Sequence, residues 1–202
     1  MVTGPATAAM AAALAVLSTT GASPATKAAP HTQGVVQITR AAGFVAAEAH
    51  PGATAVTYAP DLVPEGAGVR VRQQLDDEGM TVALAVHGLE PDHTFGAHVH
   101  TRPCGPGPAD AGPHYQHVVD PVQPSGDPAY ANPWNEVWLD VTTGADGTGT
   151  SRSRKTWTFR PGEARSVTLH RHQTRSERGE AGFAGETVAC FSVPFVPRAP
   201  VA

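Results

Sequence analysis

The sequence has no long basic run, no convincing long helical pattern, no internal repeat and only two cysteines. A net charge of -4 and a pI near 6.2 leave no excess of positive charge, so neither nucleic acid nor an anionic membrane is an expected partner. No apolar run is long enough to span a bilayer. The run at about 8–17 is instead followed by small and polar residues, as in a signal peptide. Even there the usual basic n-region is missing, since Lys27 is the first charged residue. Neither cysteine lies near this segment, which argues against a lipoprotein anchor. Residues 1–22 are therefore expected to be a signal peptide, and the mature protein to be secreted or extracytoplasmic with no membrane anchor.

What is present points to strands. With 202 residues, 41% of them hydrophobic and 16% charged, the chain suits one globular domain with extensions. The 21 glycines and 19 prolines indicate many turns. Residues 23–50 read as a linker and N-terminal extension, rich in Pro, Ala, Thr and Ser to about 33 and then ambiguous between a strand and a short helix. Between 51 and 196 eight short β-branched runs are bounded by turn residues: TAVTY, AGVRVRQQLD, MTVALAVHGL, FGAHVH, NEVWLDVT, GTSRSRKTWTF, RSVTLHRHQ and TVACFSVPF. They predict an all-β sandwich or barrel, with 197–202 as a tail.

Four of the ten histidines fall within 95–117. The period of two along a strand sends His98 and His100 to one face and Val99 to the other. His114 returns after a Gly- and Pro-rich turn, which can bring a third ligand against a rigid pair. In RSVTLHRHQ, Val167 and Leu169 share one side, while Thr168, His170 and His172 share the other. In NEVWLDV, Val137, Leu139 and Val141 point inward and Glu136, Trp138 and Asp140 outward. Three strands thus place ligand-type residues outside the apolar layer, where the long stretch 101–134 can cover them. Imidazole suits copper, zinc, iron or nickel, so ligand type alone does not name the metal. Cys104 and Cys190, the only cysteines of an exported chain, are expected to pair. Closing so large a loop is worth roughly 4 to 5 kcal/mol in the chain-entropy model.

The pieces GAHVH, AGPHYQ, VTLH and the final VACF, in that order, resemble the copper/zinc superoxide dismutase family over about 54–193. The resemblance implies an eight-stranded antiparallel Greek-key β-barrel or sandwich with long loops covering the metal. It implies copper ligands at His98, His100, His114 and His170, and the family's disulfide at Cys104 and Cys190. The family's zinc ligands are not evident: after His114 the chain offers only His117, then Asp120 and Asp127 with no further histidine before Trp134. The chain therefore resembles a copper-only branch, with zinc not expected and a rearranged site at His117 and Asp120 as the alternative. Without zinc, Glu136 or Asp140 is expected to take the outer N–H of His114, Glu136 being the better placed. His172 is a weaker candidate for such a supporting role. His31, His50, His87 and His93 carry no motif.

Where the family has an arginine three residues before the last-strand cysteine, this chain has Thr187. Arg102, Arg171, Arg175 and Arg178 are near enough in sequence to substitute. The resemblance implies an enzyme that converts superoxide to oxygen and hydrogen peroxide with copper; the alternative is a non-enzymatic extracellular copper buffer or carrier on the same fold. A structural zinc domain has the histidines but lacks a tetrahedral set.

Overall fold

Alternation decides which face each strand buries. The structure is a computed structural model that describes residues 1–4 and 35–198. Strands β4 (Gly68–Asp76) and β5 (Gly79–His87) form a hairpin paired along their full length. Val69, Val71 and Leu75 of one and Met80, Val82, Leu84 and Val86 of the other point into the core. Arg70 and Arg72 point out to solvent. β8 (Gly149–Lys155) pairs with β5, and β1 (Val36–Gly43) with β4, giving a four-stranded sheet in the order β1-β4-β5-β8.

The second sheet runs β2-β3-β10-β9-β6-β7. Its strands are β2 (Val45–Ala46), β3 (Ala55–Thr57), β6 (Thr94–His100), β7 (Val141–Thr142), β9 (Ser166–His170) and β10 (Thr187–Ser192). Phe95, Ala97, Val99, Val167, Leu169 and Phe191 face the first sheet and complete the core. The two sheets make a sandwich and do not close into a barrel. All pairings are antiparallel except β2 with β3. At two residues, β2 is too short to show a period in the sequence.

The described residues hold ten strands where eight were expected, and the difference lies at 34–50. β1 pairs with β4 over eight positions, so the part of 23–50 from residue 36 onward belongs to the sandwich and not to a linker. As an edge strand it packs only Ile38 and Ala42 against the core, so its sequence has no clean alternation. Phe44, 1% exposed, plugs the core where the chain passes from one sheet to the other. The proposed signal segment 1–22 lies almost wholly outside the described residues, and no described helix is long and apolar enough to cross a membrane. Gln73, fully buried, donates to the Val196 carbonyl at 2.8 Å and accepts its N–H at 2.9 Å, tying the segment after β10 to β4. The expected tail 197–202 is described only to residue 198.

NEVWLDVT keeps the expected alternation, with Val137, Leu139 and Val141 buried, yet only Val141–Thr142 is a regular strand. The Asp140 carboxylate accepts the Ala97 N–H at 3.2 Å, which leaves the ladder along β6 as isolated bridges. The disulfide Cys104–Cys190 joins the loop after β6 to β10 across 86 residues of sequence.

Candidate metal centre

The outer face of the second sheet is as buried as its inner face. His98 is fully buried, and His100 and His170 are 6% exposed, because two loops cover them. The loop after β9 lies directly on β6: a Cβ at Gly96 would come within 2.5 Å of the Ala184 side chain and 2.6 Å of the His172 carbonyl. The loop after β6 crosses the same face, and the two loops meet where the Gly179 N–H donates to the Gly126 carbonyl at 2.8 Å.

β6 supplies His98 and His100, and β9 supplies His170. His114 is placed by a short antiparallel return beside the end of β6, with Thr101 N–H bonded to the Pro113 carbonyl and Tyr115 N–H to that of Val99. Alternation then buries Tyr115 in the core and turns His114 and Gln116 to the outer side. One ligand-type nitrogen from each of His98, His100, His114 and His170 lies within 4.8 Å of all the others.

The partners of each ring decide which nitrogen is bare. Asp140 accepts from the Thr174 hydroxyl at 2.5 Å, so that oxygen must accept the Nε2–H of His98 at 2.7 Å, and Nδ1 of His98 keeps its lone pair. The Nδ1–H of His100 donates to the Gly112 carbonyl at 2.7 Å, which leaves Nε2 bare. The Nδ1–H of His114 donates to Glu136 at 2.8 Å, and that of His170 to the Gly185 carbonyl at 3.3 Å. Nε2 of His170 receives only the Thr168 hydroxyl, at 2.9 Å. The bare nitrogens of His98 and His100 are buried with no hydrogen-bond partner at all. Buried polar atoms without partners are rare, and two in one cluster point to an ion as the missing partner.

Burial first, and then the charges of His114 and His170, push His98 and His100 far below the usual imidazole range. Burial and then His114 lower His170 to about 4. These three rings are therefore neutral near pH 7, the state in which imidazole binds metal. The ring centroids form a four-cornered figure. Its sides, 4.1, 4.8, 5.0 and 5.7 Å, are all shorter than its diagonals, 6.5 Å for His98 to His100 and 6.1 Å for His114 to His170. The figure is flattened toward a square.

Glu136 is 1% exposed and accepts three N–H groups: His114 Nδ1, Trp138 Nε1 and Gln116 Nε2, each at 2.8 Å. Asp140 instead serves His98 through Thr174, also accepting the Thr174 backbone N–H at 2.8 Å. Thr174 carried no motif in the sequence and is found only by where its loop folds. His117 stacks on Trp157 at 4.7 Å, while the Asp120 carboxylate accepts from Val122 and Ser125. These two residues therefore turn to separate partners, as does Asp127, which accepts from the Ala129 N–H. His172 meets β6 through its backbone carbonyl, with its ring exposed. His93 bonds to the Arg171 carbonyl, His50 and His87 are exposed, and His31 lies outside the described residues. A cavity of about 190 Å³, lined in part by His100, His114, Glu136, Gln123 and Phe183, adjoins the cluster.

Thr187 pairs in register with His170. Arg171 lies near Asp61 and Glu186, and Arg175 is paired with Glu180 at 2.8 Å. Arg102 lies against Gly112, and among the described residues neither it nor Arg178 has a carboxylate within ion-pair distance.

The two-sheet β-sandwich is a fold that this chain shares with copper/zinc superoxide dismutases. In fold the chain is similar to the Cu/Zn superoxide dismutase from Brucella abortus, with 16% identity, 77% of this chain and 99% of that chain covered, and a TM-score of 0.52. It is also similar to a superoxide-dismutase-like protein from Bacillus subtilis, at 14% identity over 61% of this chain and 88% of that chain, with a TM-score of 0.47. A double mutant of that protein gives 17% identity, 61% and 86% coverage, and a TM-score of 0.48. No protein-family model matches the chain, and no curated protein matches it.

Proposed function

We propose that the chain is an exported, copper-dependent superoxide dismutase in which His98, His100, His114 and His170 hold the copper and no zinc is required. The observation that carries this is a group of four histidines whose ligand-type nitrogens lie within 4.8 Å of one another, with those of His98 and His100 buried and without a hydrogen-bond partner. The ring centroids are flattened toward a square, and a tetragonal set of nitrogen donors would suit Cu(II) or Ni(II), whereas structural zinc prefers a tetrahedron. Bound there, copper would supply a one-electron couple that takes an electron from one superoxide and gives it to a second, yielding oxygen and, with two protons, hydrogen peroxide.

The chain's own residues then have separate tasks. Asp140 and Thr174 hold His98, and the Gly112 and Gly185 carbonyls hold His100 and His170. His114 is the least buried of the four and borders the cavity, and Glu136 holds it through Nδ1–H. The cysteine pair and the leader-like first residues support export.

One observation favours a non-enzymatic copper carrier: Thr187 brings no charge to the site, and the carboxylates near Arg171 and Arg175 offset theirs. Copper content, zinc content and superoxide consumption of the purified protein separate the two. Copper near one per chain, abolished by His98→Ala or His100→Ala but not by His93→Ala, together with superoxide consumption, supports the enzyme. Tight copper with no activity above background leaves the carrier; one tightly held zinc per chain would overturn both.

A further inference from the structure

The chain is acidic overall, yet the outer face of the four-stranded sheet is cationic. β5 turns only Thr81, Ala83 and Ala85 outward along its length before His87, so it forms a low floor. β4 raises Arg70 and Arg72 on one side, and β8 raises Thr150, Arg152 and Arg154 on the other. The register sets Arg72 and Arg152 opposite each other across Ala83, and Arg70 opposite Thr150 across Ala85. Arg154 is taken up by Asp76 at 2.7 Å. Arg70, Arg72 and Arg152 are exposed, and no carboxylate among the described residues lies within ion-pair distance of them. A depression of about 420 Å³ spans this row, and two others adjoin it along β5, sharing Arg70 at one end and Arg72 and Arg152 at the other.

We propose that this trough is a docking groove for a single anionic polysaccharide chain bearing sulfate or carboxylate groups. Strands about 4.8 Å apart set the two arginine walls about 10 Å from each other, and the five positions of β5 from Thr81 to Ala85 make the floor about 17 Å long. That is the shape for one extended chain lying along the strand. A lipid surface or a nucleic-acid duplex would rest on the arginine tips and leave the Ala83–Ala85 floor uncovered. Single-stranded nucleic acid is held largely by bases stacking on aromatic rings. Among the described residues, the outward positions of these four strands carry no Phe, Tyr or Trp. Guanidinium forks bind sulfate and carboxylate with paired hydrogen bonds, and the flat floor accepts a sugar ring.

The test uses the full chain with dextran sulfate and polygalacturonate as probes, and compares two charge-matched double variants. Arg72→Gln with Arg152→Gln should weaken binding at least about tenfold at low salt, and make the plot of log affinity against log salt shallower by about 1.5. Arg175→Gln with Arg178→Gln removes as much charge from the loop after β9 and should change affinity less than about twofold. Arg72→Lys with Arg152→Lys should restore the salt slope with part of the affinity, and carries the test if the Gln pair fails to fold. The proposal is overturned by absence of binding to both probes, or by equal weakening in the two Gln pairs. It is equally overturned if oligothymidylate or phosphatidylglycerol vesicles bind as tightly, or if the chain sediments as a dimer that the groove variants dissociate.

Discussion

The Nδ1–H of His114 donates to the buried Glu136 carboxylate across 2.8 Å, and the same carboxylate is held by Trp138 and Gln116. A buried carboxylate that accepts three N–H bonds both orients the ring and depends on all three donors. Replacing it with an amide puts an NH2 group among donors.

Glu136→Gln should therefore destabilise the fold by about 1–3 kcal/mol, the penalty for a buried polar group left mismatched. It should also weaken copper affinity by about 10- to 100-fold, the usual effect of altering the partner of a ligating histidine. Denaturant unfolding and competitive copper titration measure the two. Wild-type affinity in this variant would show that Glu136 has no part in holding His114.

Stability of the metal-free protein should fall on acidification. The folded state holds His98, His100 and His170 below their unfolded pKa, so the unfolded chain binds more protons and stability rises with pH. For His170 the stabilisation is complete above about 6.5 and lost as pH falls through about 4. Melting temperatures across that interval give the slope. A flat profile would contradict the burial of neutral rings.

Opening the Cys104–Cys190 bridge should cost about 4 to 5 kcal/mol in the chain-entropy model, since it closes a loop of 86 residues. Paired Cys→Ser replacement read by urea unfolding gives the difference. Mass measurement of unreduced protein should find no free thiol.

Thr187→Arg should raise the rate of superoxide consumption. Thr187 stands opposite His170 in the ladder, and a positive field focused at such a site raises capture of a small anion by roughly 10- to 1,000-fold. The gain should shrink with added salt as screening shortens the reach of the new charge. An increase that is independent of salt would assign it to something other than capture.

Much of the centre was legible in the chain order. Period-two alternation requires His98 and His100 to share a face away from Val99, and puts His170 opposite Val167 and Leu169, whatever the rest of the chain does. The same rule read Val137, Leu139 and Val141 as core and Glu136 and Asp140 as facing the site. It was weak where a strand is half covered: β1 buries too little to alternate, so its pairing with β4 is visible only once β4 is there to receive it.

Position along the strand favoured Glu136 for His114, but the ring that Asp140 serves was decided by tertiary structure alone. Glu136 and Asp140 lie on one face four residues apart, and alternation treats them alike. The fold separates them by bringing Thr174 from a distant loop onto Asp140, and Gln116 and Trp138 onto Glu136. The arginine face arose in the same way. Arg72 and Arg152 are 80 positions apart in a chain of net negative charge, and only the register of β4, β5 and β8 sets them across Ala83. Sequence period determines the side of a sheet on which a residue lies, because it is local backbone geometry. Partners that come from other strands and loops depend on long-range packing, which no local period records.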